Sequence, residues 1–180
     1  MVALTKAEEA TLLRWARAAL IGPAPRPGVG ELTAGLCAPA AAFVTLEQAG
    51  QLRGCIGYLQ HDRPLWENVV RAARAAAQED PRFPPVTAAE VPGLRVNISV
   101  LDPPVELSDV MRFDPRRDGI IVERGRQRGL LLPQVARERG WDAEQTLAAA
   151  CQKAGLPPTA WREAGTRLQV FAAREFGEPE

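Results

Sequence analysis

The run from Leu94 to Val100 limits the fold more than any other part of the chain. Leu94, Val96, Ile98 and Val100 alternate with Arg95, Asn97 and Ser99, a period of two that describes a strand with one face buried. Asp102-Pro103-Pro104 ends it. Two further pairs of short apolar runs flank turn residues. Residues 43–47 and 52–57 surround Ala49-Gly50, and residues 119–123 and 127–131 surround Gly125; each pair predicts a β-hairpin. Leu168, Val170 and Ala172 predict a last strand over 167–172.

Helical stripes fall between these strands. Thr5-Lys6-Ala7-Glu8 is a capping box, and Leu12, Leu13, Ala16 and Leu20 share one helical face before Gly22-Pro23. Leu65, Val69, Ala73, Ala76 and Ala77 extend a stripe from Pro64 to about Glu79. Pro133 opens a short helix to Arg139, and Asp142-Ala143-Glu144-Gln145 caps another that closes on Gly155. Thr87-Ala88-Ala89-Glu90 is a capping box on a single turn. Asp80-Pro81-Arg82-Phe83-Pro84-Pro85 cannot be helical, because each proline forces its predecessor out of the helical region. The stretch from Gly22 to Pro39, with four Pro and four Gly, reads as a loop. Helices and hairpins intersperse without a series of parallel crossovers. The expected fold class is therefore α+β, a mainly antiparallel sheet with packed helices.

At 180 residues the chain suits one domain or two small subdomains around a shared core. Its 22 basic and 22 acidic residues cancel, which argues against a general nucleic-acid binder. Three widely spaced cysteines and a start too acidic for a signal peptide point to a cytoplasmic protein with reduced thiols. The longest uncharged stretch, from Leu32 to Leu46, is too short for a membrane helix. Gly28-Val29-Gly30 lacks the remaining glycine and the helix start of a dinucleotide fingerprint. With one histidine, His61, and no paired cysteine motif, no metal or other cofactor is expected.

The chemistry-bearing candidate is Leu52-Arg53-Gly54-Cys55-Ile56-Gly57. Strand alternation places Arg53 and Cys55 on one face, and a two-residue turn at Ala49-Gly50 sets Arg53 opposite Leu46 and Cys55 opposite Val44. A guanidinium beside a thiol favours the reactive thiolate, and Gly54 and Gly57 leave room for a ligand or another backbone. The same residues also fit a small buried cysteine with an arginine paired to a structural carboxylate. Asp80 and Arg82 carry two readings as well. They terminate the preceding helix, or they join Arg53 in binding a carboxylate or phosphate.

Six segments in order resemble the signatures of the AMMECR domain family, whose bacterial and archaeal members are called AmmeMemoRadiSam system protein A. They are Leu52 to Gly57, Glu79 to Pro85, Asn97-Ile98-Ser99-Val100-Leu101, Asp118-Gly119-Ile120-Ile121, Leu132-Pro133-Gln134-Val135 and Lys153-Ala154-Gly155-Leu156-Pro157. The resemblance is strongest over 43–176 and makes the whole chain, 1–180, one domain of this type. It implies a larger and a smaller subdomain with a cleft between them, and association with a Memo-like protein and a radical SAM protein. It supplies no reaction. Two functions stay open. One is an enzyme, or enzyme component, acting on a small anionic substrate, with Cys55 as catalytic residue and Arg53, Gly54, Gly57, Asp80 and Arg82 binding the substrate. The other is a non-catalytic adaptor.

Overall fold

The computed structural model describes residues 3–28 and 30–179. Met1 and Val2, and Val29 of the Gly-Val-Gly sequence, lie outside the described residues. The chain forms two compact units, one made of 1–101 with 174–180 and a smaller one of 102–173.

In the larger unit α1 (Lys6–Ala19) starts at the predicted capping box, Thr5 and Glu8 exchanging both hydrogen bonds, and buries Leu12, Trp15, Ala16 and Ala19. A short α2 (Ala34–Cys37) lies within the segment expected to be a loop. Four residues are too few to show a period, so only the Thr33 cap and the buried Leu36 mark it. The hairpin of β1 (Ala41–Gln48) and β2 (Gln51–Tyr58) turns at Ala49-Gly50, both residues having positive φ, as a tight two-residue hairpin turn requires. Then come α3 (Leu65–Gln78) and β3 (Leu94–Leu101), which pairs antiparallel with β1. Ala42, Val44 and Leu46 of β1 join Val96, Ile98 and Val100 of β3 in facing the core, where Leu65, Val69, Ala73 and Ala76 of α3 meet them.

The second unit holds β4 (Val105–Glu106), β5 (Asp118–Arg124), β6 (Gln127–Leu131), α4 (Pro133–Arg139), α5 (Ala143–Lys153) and the first part of β7 (Arg167–Gly177). β5 pairs antiparallel with β6 and β7, and β4 with β7. Ile120, Val122, Leu131, Leu147, Ala150, Cys151 and Leu168 form its core. The fold is thus α+β with antiparallel pairing, as expected. β7 runs five residues past the strand predicted over 167–172. Its end breaks the apolar alternation because it is pinned by charge. Arg174 donates to Glu9 and to the Leu4 carbonyl, and Glu178, just beyond the strand, accepts from Arg17. Among the described residues no helix is long and apolar enough to cross a membrane.

Candidate functional site

The site is built on β2 and on the non-helical segment after α3, all within the larger unit. Its frame is set by a departure from regular register. Gln48 faces Gln51 and Glu47 faces Leu52, but Leu46 faces Gly54, Thr45 faces Cys55 and Val44 faces Ile56. Two steps on β2 match one on β1, so Arg53 is the extra residue of a β-bulge. This corrects the pairing expected from the turn alone. Arg53 is not opposite Leu46, and Cys55 is opposite Thr45 rather than Val44. The turn is the predicted one; the bulge three residues later shifts everything beyond it.

The two glycines of the motif are filled by their own surroundings. A Cβ on Gly54 would lie 2.2 Å from the Ala76 carbonyl oxygen of α3, so the glycine lets helix and strand meet. A Cβ on Gly57 would strike the ring of Phe43, its cross-strand partner. These are close approaches of protein to protein.

Asp80 is the most strongly held group. Its side chain is 2% exposed. One carboxylate oxygen accepts from the Cys55 backbone N–H at 2.9 Å and from Arg82 Nη2 at 2.6 Å; the other accepts from Arg82 N–H and Nε. Arg82 Nη2 also donates to the Cys55 carbonyl oxygen at 3.3 Å. The N–H and C=O of Cys55 are therefore both met by the Asp80–Arg82 pair, which occupies the place a neighbouring strand would take. An edge strand closed this way is a poor template for unwanted pairing. The Arg82 fork and the backbone donors hold the Asp80 carboxyl well below the usual carboxylate range, despite the opposing effect of burial. The same pair, helped by the nearby Cys55 sulfur, raises Arg82.

Arg53 is handled differently. Its side chain is 11% exposed, and Nε donates to Glu90 Oε1 at 2.9 Å. Nη1 is buried without a hydrogen-bond partner. The second Glu90 oxygen accepts from the N–H and hydroxyl of Thr87, one half of the predicted capping box; the Glu90 N–H bonds to the Thr87 carbonyl oxygen instead of its side chain, closing a single turn. Those Thr87 bonds first, and the Arg53 guanidinium second, bring the Glu90 carboxyl down to about 2. Phe83 links the two arginines, with its ring centre 5.9 Å from the Arg53 guanidinium carbon and 5.5 Å from that of Arg82. The Cys55 sulfur accepts from the Thr45 hydroxyl at 3.3 Å.

The structure thus brings Arg53, Cys55, Asp80 and Arg82 into one network through Phe83 and the Cys55 backbone. The guanidinium that bonds to Cys55 is that of Arg82, through the backbone carbonyl, while Arg53 is directed to Glu90. His61 lies elsewhere, its Nε2 3.2 Å from the Leu101 carbonyl oxygen and so not committed to the thiol. Sequence reasoning missed Thr45 and Glu90 as members. Thr45 is found only with the corrected register. Glu90 carried a signal: a capping box uses one carboxylate oxygen and leaves the other for a cation.

The AMMECR1 family model matches residues 13–176. The chain belongs to the AMMECR1 family. A protein of Methanothermobacter thermautotrophicus is 50% identical over 142 residues, 76% of this chain and 74% of that one. Protein PH0010 of Pyrococcus horikoshii is 46% identical over 146 residues, covering 76% of this chain and 71% of its own length. The crystal structure of uncharacterized protein PH0010 superimposes with a TM-score of 0.92 at 38% identity, over 99% of this chain and 94% of that one. For this AMMECR1 chain the network around β2 spans the first two of the six signature segments, Leu52 to Gly57 and Glu79 to Pro85.

Proposed function

We propose that this AMMECR1 protein is a cytoplasmic binding component, or enzyme component, that recognises a small oxyanionic ligand at Arg53 beside Cys55. In this reading it works with a Memo-like protein and a radical SAM protein. The observation that carries the reading is the state of Arg53. A half-buried cation with one guanidinium nitrogen shut off from solvent and unpartnered is costly to leave so and is what an anion-binding residue looks like before its ligand arrives. Cys55, two residues along β2 and given a hydroxyl donor by Thr45, is then the group available for chemistry. Asp80 and Arg82 hold the Cys55 backbone while satisfying each other, so their role is to position rather than to bind.

A non-catalytic adaptor is the second reading, favoured by one specific observation. Both arginines already carry a carboxylate, and the Cys55 sulfur meets a hydroxyl rather than a base. Native mass spectrometry of protein purified from its own cells separates the two. The anion reading expects a bound anionic metabolite in the wild type and its loss in Arg53→Ala. A partner protein retained equally by both, with no small molecule, would replace it by the adaptor.

A further inference from the structure

The Arg53–Glu90 contact is a single N–H···O bond between a half-buried side chain on a bulged strand and a carboxylate carried on an exposed turn. The Glu90 side chain is 26% exposed, and among the described residues its other partner is Thr87, itself on the surface. The guanidinium is a planar fork of five donors that matches an oxyanion through two parallel bonds. Here one donor nitrogen, Nε, is used by Glu90, and Nη1 has no acceptor although no water can reach it. The pair is therefore incompletely satisfied on the buried side and loosely held on the exposed side.

Resting on the anion reading above, we propose that Glu90 is a built-in surrogate for the ligand: an autoinhibitory carboxylate that occupies Arg53 until an oxyanion, phosphoryl or carboxylate, displaces it. Moving Glu90 outward exposes only Thr87 donors that solvent can satisfy. Leaving Arg53 without any anion would leave a half-buried charge with its inner nitrogen still unmatched. Release of Glu90 and arrival of the ligand are consequently coupled, and the ligand's apparent affinity is reduced by the closed fraction. The Thr87–Glu90 turn leads directly into the 3-10 turn Val91–Gly93 and β3, so displacement begins at the entry to β3.

Calorimetric titration with inorganic phosphate, at constant ionic strength in chloride, tests this on the full chain. Glu90→Gln keeps the side-chain length and an acceptor but removes the charge. The proposal expects it to bind phosphate at least tenfold more tightly than the wild type, and expects the Arg53→Ala/Glu90→Gln double variant not to bind. Equal affinities for wild type and Glu90→Gln, both lost in Arg53→Ala, would overturn the surrogate while leaving the anion reading intact. No binding by any variant, with circular dichroism showing native fold, would overturn both. If Glu90→Gln does not fold, the Arg53 Nε–H resonance of the wild type decides. A saturable shift with phosphate supports displacement of Glu90, and a resonance unmoved throughout the titration overturns it.

Discussion

The two hairpins of this chain solve the same packing problem and differ in what they add to it. In the larger unit Gly54 of β2 sits against the Ala76 carbonyl of α3; in the smaller, Gly129 of β6 sits against the Ala150 carbonyl of α5, where a Cβ would lie 2.4 Å away. Each lets a strand approach helix backbone. The β5–β6 register then runs unbroken from Arg124–Gln127 to Ile120–Leu131, and its cross-strand ion pair, Arg128–Glu123 at 3.7 Å, is partly exposed. The β1–β2 hairpin instead carries a bulge and a half-buried arginine with an unpartnered nitrogen, and its outer edge is served by a nearly inaccessible aspartate from the segment after α3. The shared glycine contact belongs to the fold. The surplus of enclosed polar groups around β2 is not needed to pack a hairpin on a helix, and this contrast is what singles out the site.

The largest effects should come from the shared device. Gly54→Ala and Gly129→Ala each drive a methyl into helix backbone that cannot turn aside, at a cost of about 3 kcal/mol or more. Both should cut the denaturation midpoint sharply. A Gly54→Ala protein as stable as wild type would show that the helix can retreat, and would remove the parallel between the hairpins.

Asp80→Ala comes next. It leaves the Cys55 N–H and the Arg82 fork unmatched, which should cost roughly 2–3 kcal/mol. Amide hydrogen exchange at Cys55 should accelerate well beyond that of β3, because the protecting acceptor is a side chain and not a strand. No comparable single side-chain substitution is expected to expose a β5–β6 amide.

Gly57→Ala should cost less than Gly54→Ala, about 1–2 kcal/mol, since the obstacle is the Phe43 ring, a side chain that can swing, and not a carbonyl. Reversal of that order would mean that Phe43 is the more rigid neighbour.

The smallest expected effect is a dependence on acid. Asp80 and Glu90 both have carboxyls depressed in the folded state. Their contribution is complete above the ordinary carboxylate value near about 4 and is lost as pH falls through the folded values. The stability difference between wild type and Asp80→Asn should therefore be greatest at neutral pH and shrink below about pH 4. A difference that stays constant to pH 2 would mean that the Asp80 charge does not stabilise the fold.

Much of the architecture was legible because it rests on local pattern. The capping boxes at Thr5 and Asp142, the β6 strand and the α4 helix at Pro133 fall where periodicity and capping place them. The site was legible in membership and not in geometry. Arg53, Cys55, Asp80 and Arg82 stand out by residue type, yet no pattern in Leu52-Arg53-Gly54 announces a bulge. A bulge is decided by whether Gly54, rather than Arg53, fits against Ala76, which is a tertiary fact. Without it the arginine is assigned to the thiol, when its partner is Glu90. The end of β7 was hidden for a related reason, its charges being answered by Glu9 and Arg17 far away in sequence.

The central claim is that β2 presents a working surface at Cys55, and alkylation of that thiol tests it most directly. In a protein with Cys37→Ala and Cys151→Ala, the rate of modification by iodoacetamide is followed under native conditions across pH and compared with the denatured chain. Cys55 is part-exposed and its sulfur accepts a hydroxyl hydrogen bond from Thr45, so the account predicts modification in the folded protein, with the fold retained. A thiol that reacts only after denaturation would contradict it and return Cys55 to the packing of the hairpin.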